Sequence, residues 1–105
     1  MNYDLIIKPE AEKDMTNTFE WYERKRKGLG YDFLLQVDAG FRFITRNPLS
    51  LRKRYKATRQ HIIKRFPYSI LYIVEDTKVI VLGVVHGGRN PKLIKKKFNT
   101  AFLRF

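Results

Sequence analysis

The chain has 105 residues, 44% of them hydrophobic and 14% aromatic, which suits one folded domain and excludes a disordered tail. It contains no cysteine, so disulfide scaffolds, thiol nucleophiles and Cys-based metal centres are excluded. Its net charge is +12, and the whole excess lies after residue 50: residues 1–50 carry eight basic and eight acidic side chains, whereas residues 51–105 carry fourteen basic ones and only Glu75 and Asp76 as acids. Such asymmetry points to nucleic acid, an acidic protein or another anionic surface as partner. The opening MNYDLIIKPEAEKD lacks the basic start of a signal peptide, and no apolar run is long enough for a membrane span, so a cytoplasmic protein without membrane association is expected.

In chain order, residues 2–8 alternate imperfectly around Leu5, Ile6 and Ile7 and predict a short strand ending at Pro9. Pro9 followed by Glu10, Glu12 and Asp14 starts a helix, with proline in the first turn and acids against the positive end of the dipole. Ala11, Met15, Phe19 and Tyr22 recur at helical spacing, a stripe most simply read as core, while Trp21 lies off it and is a candidate partner anchor. Arg24 to Lys27 suit the negative end, Gly28 stops the helix, and Leu29-Gly30 reads as a short connection. A second helix carries Phe33, Leu34, Val37, Phe41 and Ile44 on one face and ends before Asn47-Pro48. Two amphipathic helices joined so briefly predict an antiparallel hairpin.

After Pro48 the period changes. Residues 51–58 read as a basic connector, 59–65 as a strand, and 68–74 and 78–85 as two strands rich in Ile, Val and Tyr with Glu75, Asp76 and Thr77 at their turn. Pro91 to Lys97 predicts a short helical turn, followed by an apolar tail. The order β-α-α-β-β-β gives an α+β fold, an antiparallel sheet with the helical hairpin on one face. Both faces of the last two strands are apolar, so one face is left either to the returning tail or to a partner. Tyr68, Ile70 and Tyr72 share a strand face and are the candidate partner-binding residues there.

The loop after the last strand is the candidate anion site. Gly87 and Gly88 let a ligand approach the backbone between His86 and Arg89, and a guanidinium fork matches phosphate. His86 and His61 could in principle serve as acid and base, although strand positions 25 residues apart do not establish that they meet; a packed imidazole is the simpler reading of each. Lys95, Lys96 and Lys97 form either a solvated patch or a phosphate-tracking one. No metal-ligand or cofactor motif occurs, and none is expected to be needed.

The helical Trp21-Tyr22-Glu23, GLGYDF from Gly28 to Phe33, Asn47-Pro48, RFPYSILYIVE from Arg65 to Glu75 and HGGRNP from His86 to Pro91 together resemble the RelE/ParE superfamily of type II toxin–antitoxin toxins. The resemblance spans about Ile7 to Pro91 and agrees with the element order. It implies a small cytoplasmic toxin held inactive, in a hetero-oligomer, by a cognate acidic antitoxin. RelE-like members cut ribosome-bound mRNA without metal, whereas ParE-like members act on DNA gyrase and have largely lost that site. By its FPY strand start, HGGRNP loop and GLGYDF hairpin the chain looks closer to the ParE branch, with the ribosome-dependent endoribonuclease or a non-toxic nucleic-acid-binding relative as alternatives.

Cleavage would need an activated 2′-OH, cations on the phosphorane and a proton for the leaving oxygen. The resemblance assigns the phosphate-stabilising role to Arg89 and a second basic role to Lys64 or Arg65, with His86 as a further catalytic candidate. Against this, Ser69 stands where an arginine often follows the tyrosine, and Phe98, Phe102 and Phe105 replace the C-terminal tyrosine, so no phenol is left to donate a proton.

Overall fold

A computed structural model of the protein describes residues 3–87 and 91–103. Strand β1 (Asp4–Ile7) leads into helices α1 (Pro9–Lys25) and α2 (Leu29–Arg46); strands β2 (Lys53–Tyr55), β3 (Thr58–Ile62), β4 (Tyr68–Glu75) and β5 (Lys78–His86) follow, and helix α3 (Pro91–Leu103) closes the chain. The five strands form one sheet in the order β1-β5-β4-β3-β2, antiparallel except for the β1–β5 pair.

The helical hairpin forms as the sequence predicts, with Pro9 at its start, Glu10 and Glu12 in its first turn and Arg24 and Lys25 in the last turn of α1. The connection sits one step earlier than expected: Gly28 adopts φ 90°, and Leu29 and Gly30 already belong to α2. α2 has no capping side chain of its own. Glu23 of α1 takes that role, because its carboxylate accepts the N–H groups of Gly28 at 3.2 Å and Gly30 at 2.7 Å. A negative group is thereby held at the positive end of α2. Gly30 also lets the helices touch, since a Cβ there would stand 2.6 Å from the Phe19 carbonyl oxygen.

The hairpin covers one sheet face. Ala11, Phe33, Val37, Phe41 and Ile44 pack on Ile70, Tyr72, Val79, Val81 and Val84 in the main core. A bulge sets both Leu82 and Gly83 against Leu71, which returns Val81 and Val84 to the same face on either side of it. Phe66, delivered by the Arg-Phe-Pro-Tyr turn, joins Tyr22, Phe33 and Tyr68 in an aromatic cluster with centroid spacings of 5.0 to 6.1 Å.

Two elements differ from the sequence reading. The basic connector contains an edge strand, β2, whose pairing with β3 is irregular between Lys53 and Tyr55. Three residues rich in Lys and Arg carry no alternation that would mark a strand. The short turn expected at Pro91 is the start of α3, which lies on the second sheet face, where Ile94 packs with Leu71 and Val85, and Phe98 with Ile73, Ile80 and Leu82. The face that could have awaited a partner is therefore closed by the chain itself.

Candidate functional site

The candidate residues gather at one end of the sheet. His86 at the end of β5 lies opposite Tyr68 at the start of β4, and the Gly87 N–H donates to the Pro67 carbonyl at 2.6 Å. The turn bearing Lys64 and Arg65 thus runs beside the exit from β5. Arg89, the candidate phosphate ligand, lies outside the described residues.

Arg65 and His86 each meet a neighbouring side chain. Arg65 has φ 70°, and its guanidinium reaches toward α2, 3.9 Å from Asp32, an exposed pairing of small energetic weight. Lys64 is exposed and lines a cavity with His61. The His86 ring stands edge-on to Tyr68, with centroids 5.2 Å apart, at the mouth of a separate cavity shared with Asp14, Asn17 and Thr18 of α1. His61 and His86 face the hairpin side from β3 and β5, opposite Ile70 and Tyr68 of the intervening strand, so the fold does not bring them together. Burial lowers the His61 pKa and the neighbouring Lys64 charge lowers it further, which keeps the ring neutral at pH 7.

Ser69 is fully buried. Its hydroxyl accepts from the Gln60 side-chain amide at 2.9 Å and donates to the Gly87 carbonyl at 2.7 Å. This neutral chain ties β3, β4 and the exit of β5 together, and the hydroxyl has a structural task rather than a free lone proton for chemistry.

The partner-binding candidates divide. Ile70 and Tyr72 are 0% exposed beneath the hairpin and offer a partner no surface, which corrects the expectation for both. The Tyr72 hydroxyl donates to the Pro48 carbonyl at 3.1 Å, and burial pushes its pKa up to about 12 against the opposing pull of Arg59. Tyr68 is half-buried in the aromatic cluster. Trp21 remains, 47% exposed, with its ring edge-on to Tyr22 and the Lys25 ammonium 4.8 Å from its centroid.

One feature is invisible in the linear sequence. Tyr55 of β2 meets Phe98 of α3 at 5.7 Å between ring centroids, and the Lys56 ammonium lies 5.7 Å from the Phe98 ring. Exposed Lys53 and Arg54 of β2 and exposed Lys95 and Lys96 of α3 thus lie on two elements that touch, which gives this end of the sheet a basic surface. Lys97 does not belong to it, because it turns inward to Asp14. Among the described residues no cluster of three metal-ligating side chains occurs, and no helix is long and apolar enough to cross a membrane.

The family model described as ParE toxin of type II toxin-antitoxin system, parDE, matches residues 5–91. The chain belongs to the ParE toxin family. Among solved structures, a chain of the chromosomal ParDE system from P. aeruginosa superposes with a TM-score of 0.72 at 11% identity, covering 80% of this chain and 95% of that one. A mutant of the E. coli toxin RelE in the free state gives 0.67 at 16% identity, with 100% and 99% covered. A chain of the RelBE2 toxin–antitoxin complex from Mycobacterium tuberculosis gives 0.57 at 22% identity, with 82% and 92% covered. These likenesses establish the RelE/ParE fold for this ParE-family chain. A search of curated proteins returned no match.

Proposed function

We propose that this ParE-family toxin arrests growth by binding DNA gyrase, and that a cognate acidic antitoxin neutralises it in a hetero-oligomer in the cytoplasm. The observation that carries the choice over mRNA cleavage is Ser69. Where a cutting site needs a cation on the strand, this chain has a buried hydroxyl engaged in a closed hydrogen-bond chain. Arg65 pairs with Asp32, the His86 ring stands edge-on to Tyr68, and Lys64 lines the His61 cavity. A binding toxin needs no acid and base set on one reacting atom.

Two regions support partner recognition. The excess of basic charge after residue 50 favours fast association with an acidic chain. Exposed Trp21 offers an aromatic anchor on the hairpin. Arg89 is proposed to contact an acidic side chain or a phosphate of the target. Induced expression with parallel readouts of DNA supercoiling or breakage and of translation tests the reading. Gyrase poisoning predicts altered supercoiling or breaks before any loss of translation. Immediate translational arrest with mRNA cut at the ribosome would instead establish the endoribonuclease alternative.

A further inference from the structure

The cavity that Lys64 and His61 line lies between the C-terminal half of α2 and strand β3. It has a volume of about 340 Å³ and is lined by Gln36, Ala39, Gly40, Phe43, His61 and Lys64. That is the small end of ligand-pocket sizes, enough for one compact ring system.

Its chemistry is specific. The Phe43 and His61 rings are stacked, 5.1 Å between centroids and 26° from parallel, and Phe43 is 41% exposed. Gly40 permits this closeness of helix and strand, since a Cβ there would stand 3.1 Å from His61 Cδ2. Neither the His61 ring nor the Gln36 amide has a hydrogen-bond partner among the described residues. Neutral His61 offers one donor and one acceptor, and the Gln36 amide offers both as well. Exposed Lys64 adds a cation to the lining. A half-exposed aromatic platform, two groups able to pair with a heterocycle edge and one ammonium are what a nucleotide uses: stacking for the base, amide and imidazole for its edge, the cation for its phosphate.

We propose that the Gln36–Phe43–His61–Lys64 cavity binds a nucleotide unit, with the base against the Phe43–His61 platform and the phosphate at Lys64. The proposal is independent of the gyrase reading and of the basic surface formed by β2 and α3. The nucleotide could come from a free mononucleotide or from an unpaired strand, but not from a duplex, whose bases are stacked away.

The experiment follows the His61 ring signals by NMR in the full chain while AMP, UMP, a single-stranded ten-residue oligonucleotide and the matching duplex are added separately. Shifts with a mononucleotide identify a free nucleotide as a ligand; shifts with the single strand alone identify an unpaired strand. Either result supports the site, and the shifts must persist in Lys95→Ala/Lys96→Ala, which weakens the other basic surface. Phe43→Ala, checked as folded, is expected to lower affinity about fivefold to hundredfold, the usual effect of removing one stacking partner, without changing the salt dependence. Lys64→Ala is expected to reduce that salt dependence, and Gln36→Leu to lower affinity at unchanged salt dependence. The proposal is overturned if no nucleotide probe moves the His61 signals, if the duplex moves them as well as the single strand, or if folded Phe43→Ala binds like the parent.

Discussion

Asp14 of the first helix and Lys97 of the last, 83 positions apart, meet at 2.7 Å beside the sheet edge. β1 pairs with β5 only as far as Ile7 and Val81. Beyond that point the edge of β5 would expose its backbone, and Asp14 fills the gap by accepting the Val84 N–H at 3.0 Å with its second oxygen. One carboxylate thus satisfies a strand edge and latches α3 onto the hairpin. Its side chain is 19% exposed and that of Lys97 22%, so the pair is better shielded than the exposed Arg42–Asp38 pair.

Replacing Asp14 with Ala therefore removes a hydrogen bond from a partly buried backbone donor together with the ion pair, and a loss of about 2 kcal/mol is expected. Lys97→Ala removes only the latch, with a loss of about 1 kcal/mol. Urea denaturation measures both, and hydrogen exchange in residues 91–103 should quicken in both variants. Unchanged exchange there would mean that apolar contacts alone hold α3.

The Glu23 cap makes a second expectation. Glu23→Ala leaves the first N–H groups of α2 without their carboxylate and should cost about 1 kcal/mol, a typical cap loss. Gly30→Ala should cost more, because the new methyl would press on the Phe19 carbonyl at 2.6 Å, a backbone atom that cannot swing away. Thermal unfolding of the two variants should rank them in that order.

Much of this architecture was legible in the chain. Helical spacing and Pro9, Gly28 and Pro48 located the hairpin, and alternation with β-branched residues located β4 and β5. β2 escaped because Lys53 and Arg54 look like connector residues, and the extent of α3 escaped because its apolar positions read as a tail. The roles of Glu23 and Asp14 were hidden for a different reason. An acid near a helix start or end is read as a dipole partner, whereas here the groups it satisfies belong to another element. Of the candidate site, the sequence marked Lys64, Arg65 and His86, but only the sheet pairing sets their segments at one end, and only packing shows that Ile70 and Tyr72 are core.

His61 gives the stability a pH dependence. Its pKa is lowered in the folded chain from the unperturbed 6.5, chiefly by burial. Below about pH 6.5 the unfolded chain binds a proton that the folded chain refuses, so this contribution is full above that pH and is lost as pH falls toward the folded pKa. Urea midpoints at pH 7.5 and 5.5 should therefore differ more in the parent than in His61→Gln. Equal differences would show that His61 titrates alike in both states.

The sequence reading puts Arg89 in a glycine loop, so Arg89→Ala is expected to reduce toxicity while leaving folding nearly intact, a surface substitution usually changing stability by less than ~0.5 kcal/mol. Arg89→Lys should restore toxicity only in part, because an ammonium cannot form a bidentate fork. Growth curves under graded induction, with protein levels matched, decide it. Full toxicity of Arg89→Ala would move attention from the loop to the hairpin.

Trp21 is the hairpin residue proposed to anchor a partner. It is 47% exposed, and its neighbours Tyr22 and Lys25 fix the ring at 5.0 Å and 4.8 Å, so little rotamer freedom remains to be lost on binding. Central aromatic anchors commonly carry more than about 1 kcal/mol each, so Trp21→Ala should weaken antitoxin binding at least fivefold. It should barely affect folding, since the ring lies off the core stripe. The chain has one tryptophan, so its emission reports on this site alone. Burial by the antitoxin should shift the emission to the blue. An unshifted spectrum on a saturated complex, with Trp21→Ala binding as tightly as the parent, would place the antitoxin interface elsewhere on the toxin.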